Sequence, residues 1–445
     1  MNIIFRSPLS FVLLACCISC SNQKSTNDTV SISRNSLKDS NTWQFECQRD
    51  EIAPEHWVDS GKMYKGQPTY ALSGGGKEYA NGCWTRNTPV QSNYFYEFTT
   101  HYFAQNLDDP LRSALARILW FDEDGEEVSV AEYPATLAAE TPEGWHTIQQ
   151  VYQCPEKAVY ARLELVYRWD SDGSVFFSEA EFKQVRPIKP EKVKLATVHY
   201  IPTKGSTTQE NLEQFSKFLE DAGKKGADIV CLPEGITVVN TGMSYIDVAE
   251  PVPGPTTSYL GEIAKKYGMY IVAGIYERNG AVVYNTAVLV GRDGGLAGKY
   301  HKICLPREEI QGGITPGDST PVFETDFGTV GMMICWDVTF PEVARMLTLR
   351  GADIIMLPIW GGIPELAVAR AIENQIYLVT SSYSTKQMKS AIFDKGGVIL
   401  GEANDTEHVK VVEVDLSKRK MWPFLGDLKN RIVREMPPQK LVADR

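Results

Sequence analysis

The chain carries the segment Gly-Ala-Asp-Ile-Val-Cys-Leu-Pro at residues 226–233 and an echo of it, Gly-Ala-Asp-Ile-Ile-Met-Leu-Pro, at residues 351–358. Each segment follows a stretch with helical hydrophobic spacing, residues 210–223 in the first case and 341–350 in the second. The apolar runs themselves predict buried strands. A duplicated helix-strand unit would pack two sheets face to face with the helices outside, which predicts an α/β fold. Independent convergence of two buried strands is the alternative.

Strands and helices alternate through the rest of this second half. Residues 194–200 and 270–276 have the composition of strands, and residues 259–267 have the spacing of a helix. A stiff, proline-containing linker at residues 186–192 precedes this half. We therefore expect an α/β domain over residues 193–445.

The first half, residues 43–185, has a different pattern of polar and apolar residues. Short segments of alternating polarity, such as 114–121 and 161–167, are separated by Asp-Gly turns, a pattern typical of an all-β sandwich. This half resembles the jelly-roll modules attached to carbohydrate-active enzymes, and the resemblance implies carbohydrate as a partner. Three tryptophans in it could stack on sugar, although core packing is the favoured role for each. They are Trp84, Trp120 and Trp169.

Composition and charge exclude several classes of protein. The 445 residues are 43% hydrophobic and 23% charged, which indicates a globular protein. With 56 acidic and 45 basic residues, the net charge is −11, so nucleic acid is not an expected partner. The six histidines are scattered and no CxxC pair occurs among the six cysteines that follow the signal region, so we predict no metal and no cofactor. Cys47, Cys83 and Cys154 would allow one disulfide in an oxidising compartment.

The N-terminus has the features of an export signal. Arg6 is followed by a short apolar run that is too brief to span a bilayer, and residues 1–20 are interpreted as the signal. Leu-Leu-Ala-Cys16 resembles the bacterial lipobox; Cys20 is the alternative acylation site, and an ordinary secretory signal is the alternative reading. A polar tether follows at residues 21–42. We expect a bacterial lipoprotein anchored to a membrane, in the periplasm or at the cell surface.

Three residues of the second half suit nucleophilic catalysis. Cys335 ends an apolar strand before a bend into a helix, where free N–H groups would favour its thiolate. Glu234 follows a strand at the end of the sheet where ligands usually bind, and we expect it to be desolvated there. Lys302 lies in the segment Gly-Lys-Tyr-His-Lys-Ile-Cys-Leu-Pro, residues 298–306. Taken one at a time, each residue could also have an ordinary structural role. Cys335 could be a buried thiol, Glu234 an exposed loop carboxylate and Lys302 a surface lysine.

Together they resemble the nitrilase superfamily of carbon-nitrogen hydrolases, whose triad is Glu, Lys and Cys in that chain order. The motifs are Leu-Pro-Glu234, Lys-Tyr-His-Lys302 and Gly-Met-Met-Ile-Cys335-Trp-Asp, with further likeness at residues 314–318, 340–345 and 369–374. The resemblance covers residues 193–421. It implies that this half is an αββα sandwich, in agreement with the internal echo.

The resemblance also implies a mechanism. Cys335 would form a thioester with an amide or carbamoyl substrate, and Glu234 would act as general base and acid. Lys302, together with the backbone N–H of Trp336, would stabilise the oxyanion. The second acidic residue of the family, seven positions after the lysine, is Glu309 here, where it would orient Lys302 or the substrate, and the assignment could slip to its neighbour Glu308.

Two departures from the family pattern bear on the substrate. Cys304 stands where the family commonly has histidine, and the Trp-Asp pair after Cys335 resembles the amidase-like branches, which favours an amide over a nitrile. Trp360, after the second Leu-Pro strand, is predicted to form one wall of the pocket. The alternative functions are an acyltransferase that uses the same triad and a non-catalytic protein that binds surface glycan. The resemblance leaves a homo-oligomer through the hydrolase domain open.

Overall fold

The computed structural model of the protein describes residues 42–141, 143–384 and 386–436. The signal at residues 1–20, both candidate acylation sites, Cys16 and Cys20, and the tether up to residue 41 lie outside the described residues. Within the described ranges, no helix combines the length and the apolar character needed to cross a bilayer.

The first half is the predicted all-β sandwich, made of two antiparallel sheets. One sheet has the strand order β1-β4-β9-β6, and the other has the order β2-β3-β10-β5-β8-β7, with β11 also paired to β5. The strands are β1 (Gln44–Glu46), β2 (Glu55–Tyr64), β3 (Gln67–Ser73), β4 (Asn81–Pro89), β5 (Phe95–Gln105), β6 (Ala114–Phe121), β7 (Ala135–Glu140), β8 (Trp145–Gln153), β9 (Tyr160–Arg168), β10 (Ser174–Phe177) and β11 (Glu181–Val185). Short helical turns are Asp50–Ile52 and α1 (Pro110–Ser113).

The three tryptophans of this half do not share a face. Trp84 and Trp120 are buried in the core between the two sheets, as the favoured interpretation predicts. For Trp169 the prediction of core packing is wrong, because its side chain is 44% exposed and lies against the guanidinium of Arg168, which is 4.1 Å from the ring centroid. They therefore form no common sugar-stacking platform. Among the described residues the cysteines of this half are free thiols, so the allowed disulfide is not formed.

The second half contains two further sheets and their helices. Its elements are β12 (Lys192–Val198), α2 (Thr208–Lys224), β13 (Ile229–Cys231), α3 (Pro255–Tyr267), β14 (Tyr270–Asn279), β15 (Val282–Val290), β16 (Leu296–His301), α4 (Arg307–Gln311), β17 (Val322–Glu324), β18 (Thr329–Met332), a 3-10 helix (Cys335–Thr339), α5 (Pro341–Leu349), β19 (Ile354–Pro358), α6 (Pro364–Asn374), β20 (Tyr377–Ser381), β21 (Ser390–Phe393), β22 (Ile399–Ala403), β23 (Val409–Asp415), β24 (Met421–Trp422), β25 (Gly426–Asp427) and α7 (Ile432–Glu435).

The two large sheets pack face to face, which confirms the predicted αββα sandwich. One sheet has the order β16-β15-β14-β13-β12-β23, and the other has the order β17-β18-β19-β20-β21-β22. Residues of β13 and β14 contact β19 across the interface, and a continuous apolar core fills it. Helices α2 and α3 cover the outer face of the first sheet, and α5 and α6 lie on the second.

The sequence echo corresponds to equivalent positions in the two sheets. Strand β13 lies between β12 and β14, and β19 between β18 and β20, with parallel pairing on both sides in each case. The aspartate of each repeat makes the same contact. Asp228 Oδ2 accepts a hydrogen bond from the Lys194 amide at 2.8 Å, and Asp353 Oδ2 accepts one from the Thr329 amide at 3.2 Å. These aspartates therefore hold each repeated strand to its neighbour.

The segment after β23, residues 416–436, connects the two halves. We call it the C-terminal segment. On the α/β side, Lys429 Nζ donates to Asp353 at 2.6 Å. On the β-sandwich side, the Arg419 guanidinium binds both oxygens of Glu132, and the buried Arg434 donates to the Pro134 carbonyl at 2.7 Å. The halves are thus joined by side-chain contacts as well as by the linker.

This contact predicts a stability effect. Replacing Glu132 by Gln leaves the guanidinium of Arg419 without one of its two carboxylate partners, the other being Asp427. Glu132→Gln should lower the free energy of unfolding by about 1–3 kcal/mol, the cost of an unsatisfied buried polar group. Thermal unfolding of the full chain measures it. Glu126→Gln, at an exposed position of the same half, is the control. Equal midpoints for the two variants would show that the contact contributes nothing.

Candidate active site

The three predicted catalytic residues converge from both sheets. Glu234 comes three residues after β13, and Lys302 comes directly after β16, so both are presented by the first sheet. Cys335 follows β18 of the second sheet and begins the 3-10 helix. Since the sheets pack face to face, these strand ends meet on one side of their interface.

An ion-pair cluster forms the centre of the site. Lys302 Nζ lies 2.9 Å from Glu234 Oε1 and 2.9 Å from Glu309 Oε2. All three side chains are almost completely buried. Asn285 Nδ2 donates to the same two carboxylates, at 2.8 Å to Glu234 and 2.5 Å to Glu309. Each carboxylate therefore has both a cationic and an amide partner.

Opposing influences determine the charge of the lysine. Burial alone would lower the pKa of Lys302, because a charge in an apolar interior loses its hydration. The carboxylate of Glu234, followed by Cys335 and Glu309, outweighs burial and raises that pKa above its ordinary value. Lys302 therefore carries its proton at neutral pH. Burial raises the pKa of the Glu309 carboxyl, although Lys302 opposes that shift.

Cys335 lies at a sharp backbone bend. Its φ is +42°, in the left-handed region that non-glycine residues seldom adopt. Such strain persists only where the surroundings impose it, and it occurs often at functional sites. The Sγ atom lies 3.9 Å from the Gly361 carbonyl oxygen. The backbone N–H of Trp360, the residue before Gly361, donates to Glu234 Oε2 at 3.1 Å.

A buried carboxylate holds this bend in place. Asp337, the second residue of the Trp-Asp pair, accepts hydrogen bonds from the amides of Ile334 at 2.9 Å and Cys304 at 2.8 Å. The hydroxyl of Tyr300 also donates to it at 2.8 Å. Since Tyr300 and Cys304 flank Lys302 in the chain, Asp337 ties the bend at Cys335 to the segment that carries Lys302.

The prediction that Cys335 is present as a thiolate is wrong. Burial has the largest effect on Cys335 and raises the pKa of its thiol well above the ordinary value. Glu234 raises the pKa further, while Lys302 opposes it. The helix at this bend is a 3-10 helix of five residues, and its N-terminus does not offset burial beside a carboxylate. At neutral pH the side chain of Cys335 is therefore a thiol.

A cavity of about 230 Å³ opens onto the cluster. Its walls include the three predicted catalytic residues and both members of the Glu308 and Glu309 pair. Glu309 is the one that contacts Lys302, whereas Glu308 is exposed at the cavity wall. The chain spacing does not decide whether Glu308 or Glu309 lies beside the lysine, and this geometry shows that it is Glu309.

Trp360, predicted as a wall of the pocket, and Trp336, predicted as a backbone donor, occupy different places. Trp360 lines the cavity, with its ring 5.0 Å from that of Tyr383. The Trp336 side chain is 44% exposed, lies outside the cavity wall and contacts Phe340 edge to face. The predicted role of Trp336 is to stabilise the oxyanion through its backbone N–H, and that role does not involve the indole.

Sequence reasoning does not identify several residues of the site. Asn285 lies in the middle of the apolar strand β15, and a lone asparagine in such a strand is the signal that points to it. Tyr276 and Tyr245 form a stacked pair in the cavity wall, with ring centroids 4.6 Å apart. The hydroxyl of Tyr383 donates to the backbone carbonyl of Glu234 at 2.9 Å. Tyrosines are too common in cores for the sequence to single these out.

A second network lies on the opposite face of the same strands. Glu277 is buried and accepts hydrogen bonds from Lys299 at 2.6 Å and Thr286 at 3.1 Å, and His301 Nε2 lies 2.8 Å from it. The chain neighbours of Glu277, Thr286 and His301 on the cavity side are Tyr276, Asn285 and Lys302. Since alternate residues face opposite sides of a strand, this network fixes the strands that present the site.

The site offers no evident place for a metal ion. Within the described ranges, no three His, Cys, Asp or Glu side chains are arranged to hold one. The cluster combines a thiol, two buried carboxylates and a lysine, which are the groups needed for covalent catalysis with acid-base assistance.

Comparison with known proteins agrees with the resemblance seen in the sequence. The carbon-nitrogen hydrolase family model matches residues 194–424, close to the range of 193–421 expected from the motifs. A nitrilase of Pyrococcus abyssi is 38% identical over 226 residues, which are 46% of this chain and 84% of that protein. An omega-amidase of Xenopus tropicalis is 30% identical over 264 residues, which are 54% of this chain and 93% of that protein.

Among solved structures, a nitrilase-superfamily protein of Saccharomyces cerevisiae is 26% identical, covers 51% of this chain and 90% of its own, and has a TM-score of 0.43. The family model matches more than half of the chain, and the omega-amidase is matched along nearly its whole length. The chain therefore belongs to the carbon-nitrogen hydrolase family and is an enzyme of that class.

Proposed function

We propose that the protein hydrolyses an amide or carbamoyl carbon-nitrogen bond through a thioester on Cys335. The observation that carries this proposal is the cluster of Glu234, Lys302 and Glu309 beside Cys335 in a single cavity. The similarity to an omega-amidase supports an amide substrate.

In the first half-reaction, Glu234 takes the proton of the Cys335 thiol as sulfur attacks the carbonyl carbon. The carbon-nitrogen bond then breaks, and Glu234 returns the proton to the departing amine, which leaves neutral. A base is required because burial keeps the resting thiol protonated. In the second half-reaction, Glu234 deprotonates water, which attacks the thioester. The acid is released and the thiol regains its proton.

Lys302 has the electrostatic role in this scheme. Its charge, with the backbone N–H of Trp336, stabilises the oxyanion of each tetrahedral intermediate, a contribution of roughly 3–4 kcal/mol per donor. Glu309 and Asn285 act by positioning, since they hold Lys302 and Glu234 through the contacts described above. Trp360 would hold the substrate against the opposite wall.

An acyltransferase would share the first half-reaction and differ only in the acceptor of the acyl group. No contact among the described residues favours an amine acceptor over water, so hydrolysis is the proposed reaction. A purely glycan-binding function is disfavoured, because burying three charged side chains is costly and serves no purpose in a scaffold that binds elsewhere.

The first test concerns the nucleophile. Cys335→Ala should eliminate ammonia release from amides without changing the circular dichroism spectrum, because no other group replaces the sulfur in the thioester. Cys231→Ala and Cys304→Ala are the controls and should retain at least partial activity. Mass spectrometry of wild-type protein quenched with substrate should find the acyl adduct on the peptide that contains Cys335. An adduct on Cys304 would overturn the assignment.

A second test concerns the residue that the sequence does not identify. Asn285→Ala removes the amide that bridges Glu234 and Glu309, so kcat should fall about 10²-fold, as expected when reacting groups are slightly misplaced, with a smaller change in KM. Asn279→Ala, at the exposed end of β14, is the control. An unchanged kcat for Asn285→Ala would remove this residue from the positioning role.

We also propose that the protein is exported and anchored by lipid at Cys16, with Cys20 as the alternative site. Support comes from the charged start, the short apolar run and the lipobox-like sequence. The wild-type protein should label with a fatty-acid analogue in cells and partition into detergent, and replacement of both cysteines should release it. Wild-type protein recovered free in the periplasmic fraction would contradict the anchor.

A further inference from the structure

The charge on the wall of the cavity is strongly one-sided. Lys302 is the single basic side chain among the described residues that line it, whereas Glu234, Glu308 and Glu309 contribute three carboxyl groups. Its charge is already matched by the two carboxylates that it contacts at 2.9 Å. The neighbouring Arg307 is exposed and is not part of the wall.

Glu308 is the carboxylate that the chemistry does not use. Glu308 and Glu309 are successive residues of α4, and only Glu309 is buried against the lysine. Glu308 is exposed at the wall and forms no ion pair with any residue in the described part of the chain. It lines the same cavity as Cys335, so one small molecule can contact both.

Three aromatic rings and Pro306 complete the wall of this cavity. Tyr245 and Tyr276 are stacked at 4.6 Å, and Trp360 faces the cavity from the second sheet. Aromatic faces attract cations through their quadrupole. A carboxylate combined with such rings favours a cationic group and disfavours an anionic one.

We infer that the substrate is a small amide whose far end carries a positive charge, such as an alkylammonium group that pairs with Glu308. This inference rests on the proposed function and adds the substrate class. The cavity of about 230 Å³ is smaller than the roughly 300–1,000 Å³ of pockets for drug-sized ligands, which suits a short chain between the amide and the charge. An amide that ends in a carboxylate would place its negative charge in a cavity where the carboxylate of Glu308 has no cationic partner among the described residues.

The test compares three amides of equal chain length on the full-length protein. Ammonia release is measured from ε-aminocaproamide, which is cationic, from caproamide, which is neutral, and from adipic monoamide, which is anionic. The value of kcat/KM for the cationic amide should exceed that for the anionic one by about tenfold or more. The preference should weaken as salt is added, because Glu308 is exposed and its field is screened.

Variants locate the effect on Glu308. Glu308→Gln should reduce the ratio of kcat/KM between the cationic and neutral amides about fivefold, and Glu308→Lys should reverse the order of the cationic and anionic amides. Glu324→Gln, an exposed position of β17 outside the cavity wall, is the matched control and should keep the wild-type ratio.

The outcomes separate the two proposals. If caproamide is hydrolysed but the anionic amide is turned over as fast as the cationic one, or if Glu308→Gln leaves the ratio unchanged, the substrate class is wrong and the proposed hydrolysis stands. If none of the three amides releases ammonia and Cys335 forms no adduct with any of them, the proposed function is wrong and the inference falls with it.

Discussion

The site depends on one buried lysine between two carboxylates. Removing a charge from water costs several kcal/mol, and burial is tolerated only where opposite charges and hydrogen bonds compensate. Lys302 obtains that compensation from Glu234 and Glu309, and Asn285 satisfies both carboxylates in turn. Loss of one partner from such a cluster leaves an uncompensated buried charge, which typically costs about 3–5 kcal/mol. The requirement that these groups meet therefore constrains the strands that present them.

The surrounding structure supplies that constraint from both sides. Asp337 ties the strained bend at Cys335 to the segment that carries Lys302, and Glu277 fixes the outer face of the strands that present Lys302 and Asn285. The strain at Cys335 is maintained because the carboxylate of Asp337 binds the backbone before the bend.

Different contacts stabilise the two halves of the protein. In the α/β half, Asp228 and Asp353 occupy equivalent positions in the two repeats. Each accepts a hydrogen bond from a backbone amide of the neighbouring strand, so the duplication extends from the topology to individual contacts. In the β-sandwich, Trp84 and Trp120 pack in the core between the two sheets. The C-terminal segment contacts both halves through ion pairs at Glu132 and Asp353, and the linker is therefore not their sole connection.

The sequence alone determined the α/β architecture, the β-sandwich before it and the set Glu234, Lys302 and Cys335. Hydrophobic periodicity and motif order are local properties of a chain, so they can be read without coordinates. Only the tertiary structure decided which of Glu308 and Glu309 contacts the lysine, that Asn285 bridges the carboxylates, and that Cys335 rests as a thiol. Those outcomes depend on distances between strands far apart in the chain and on burial, because both the charge state and the partner of a side chain are set by what packs around it.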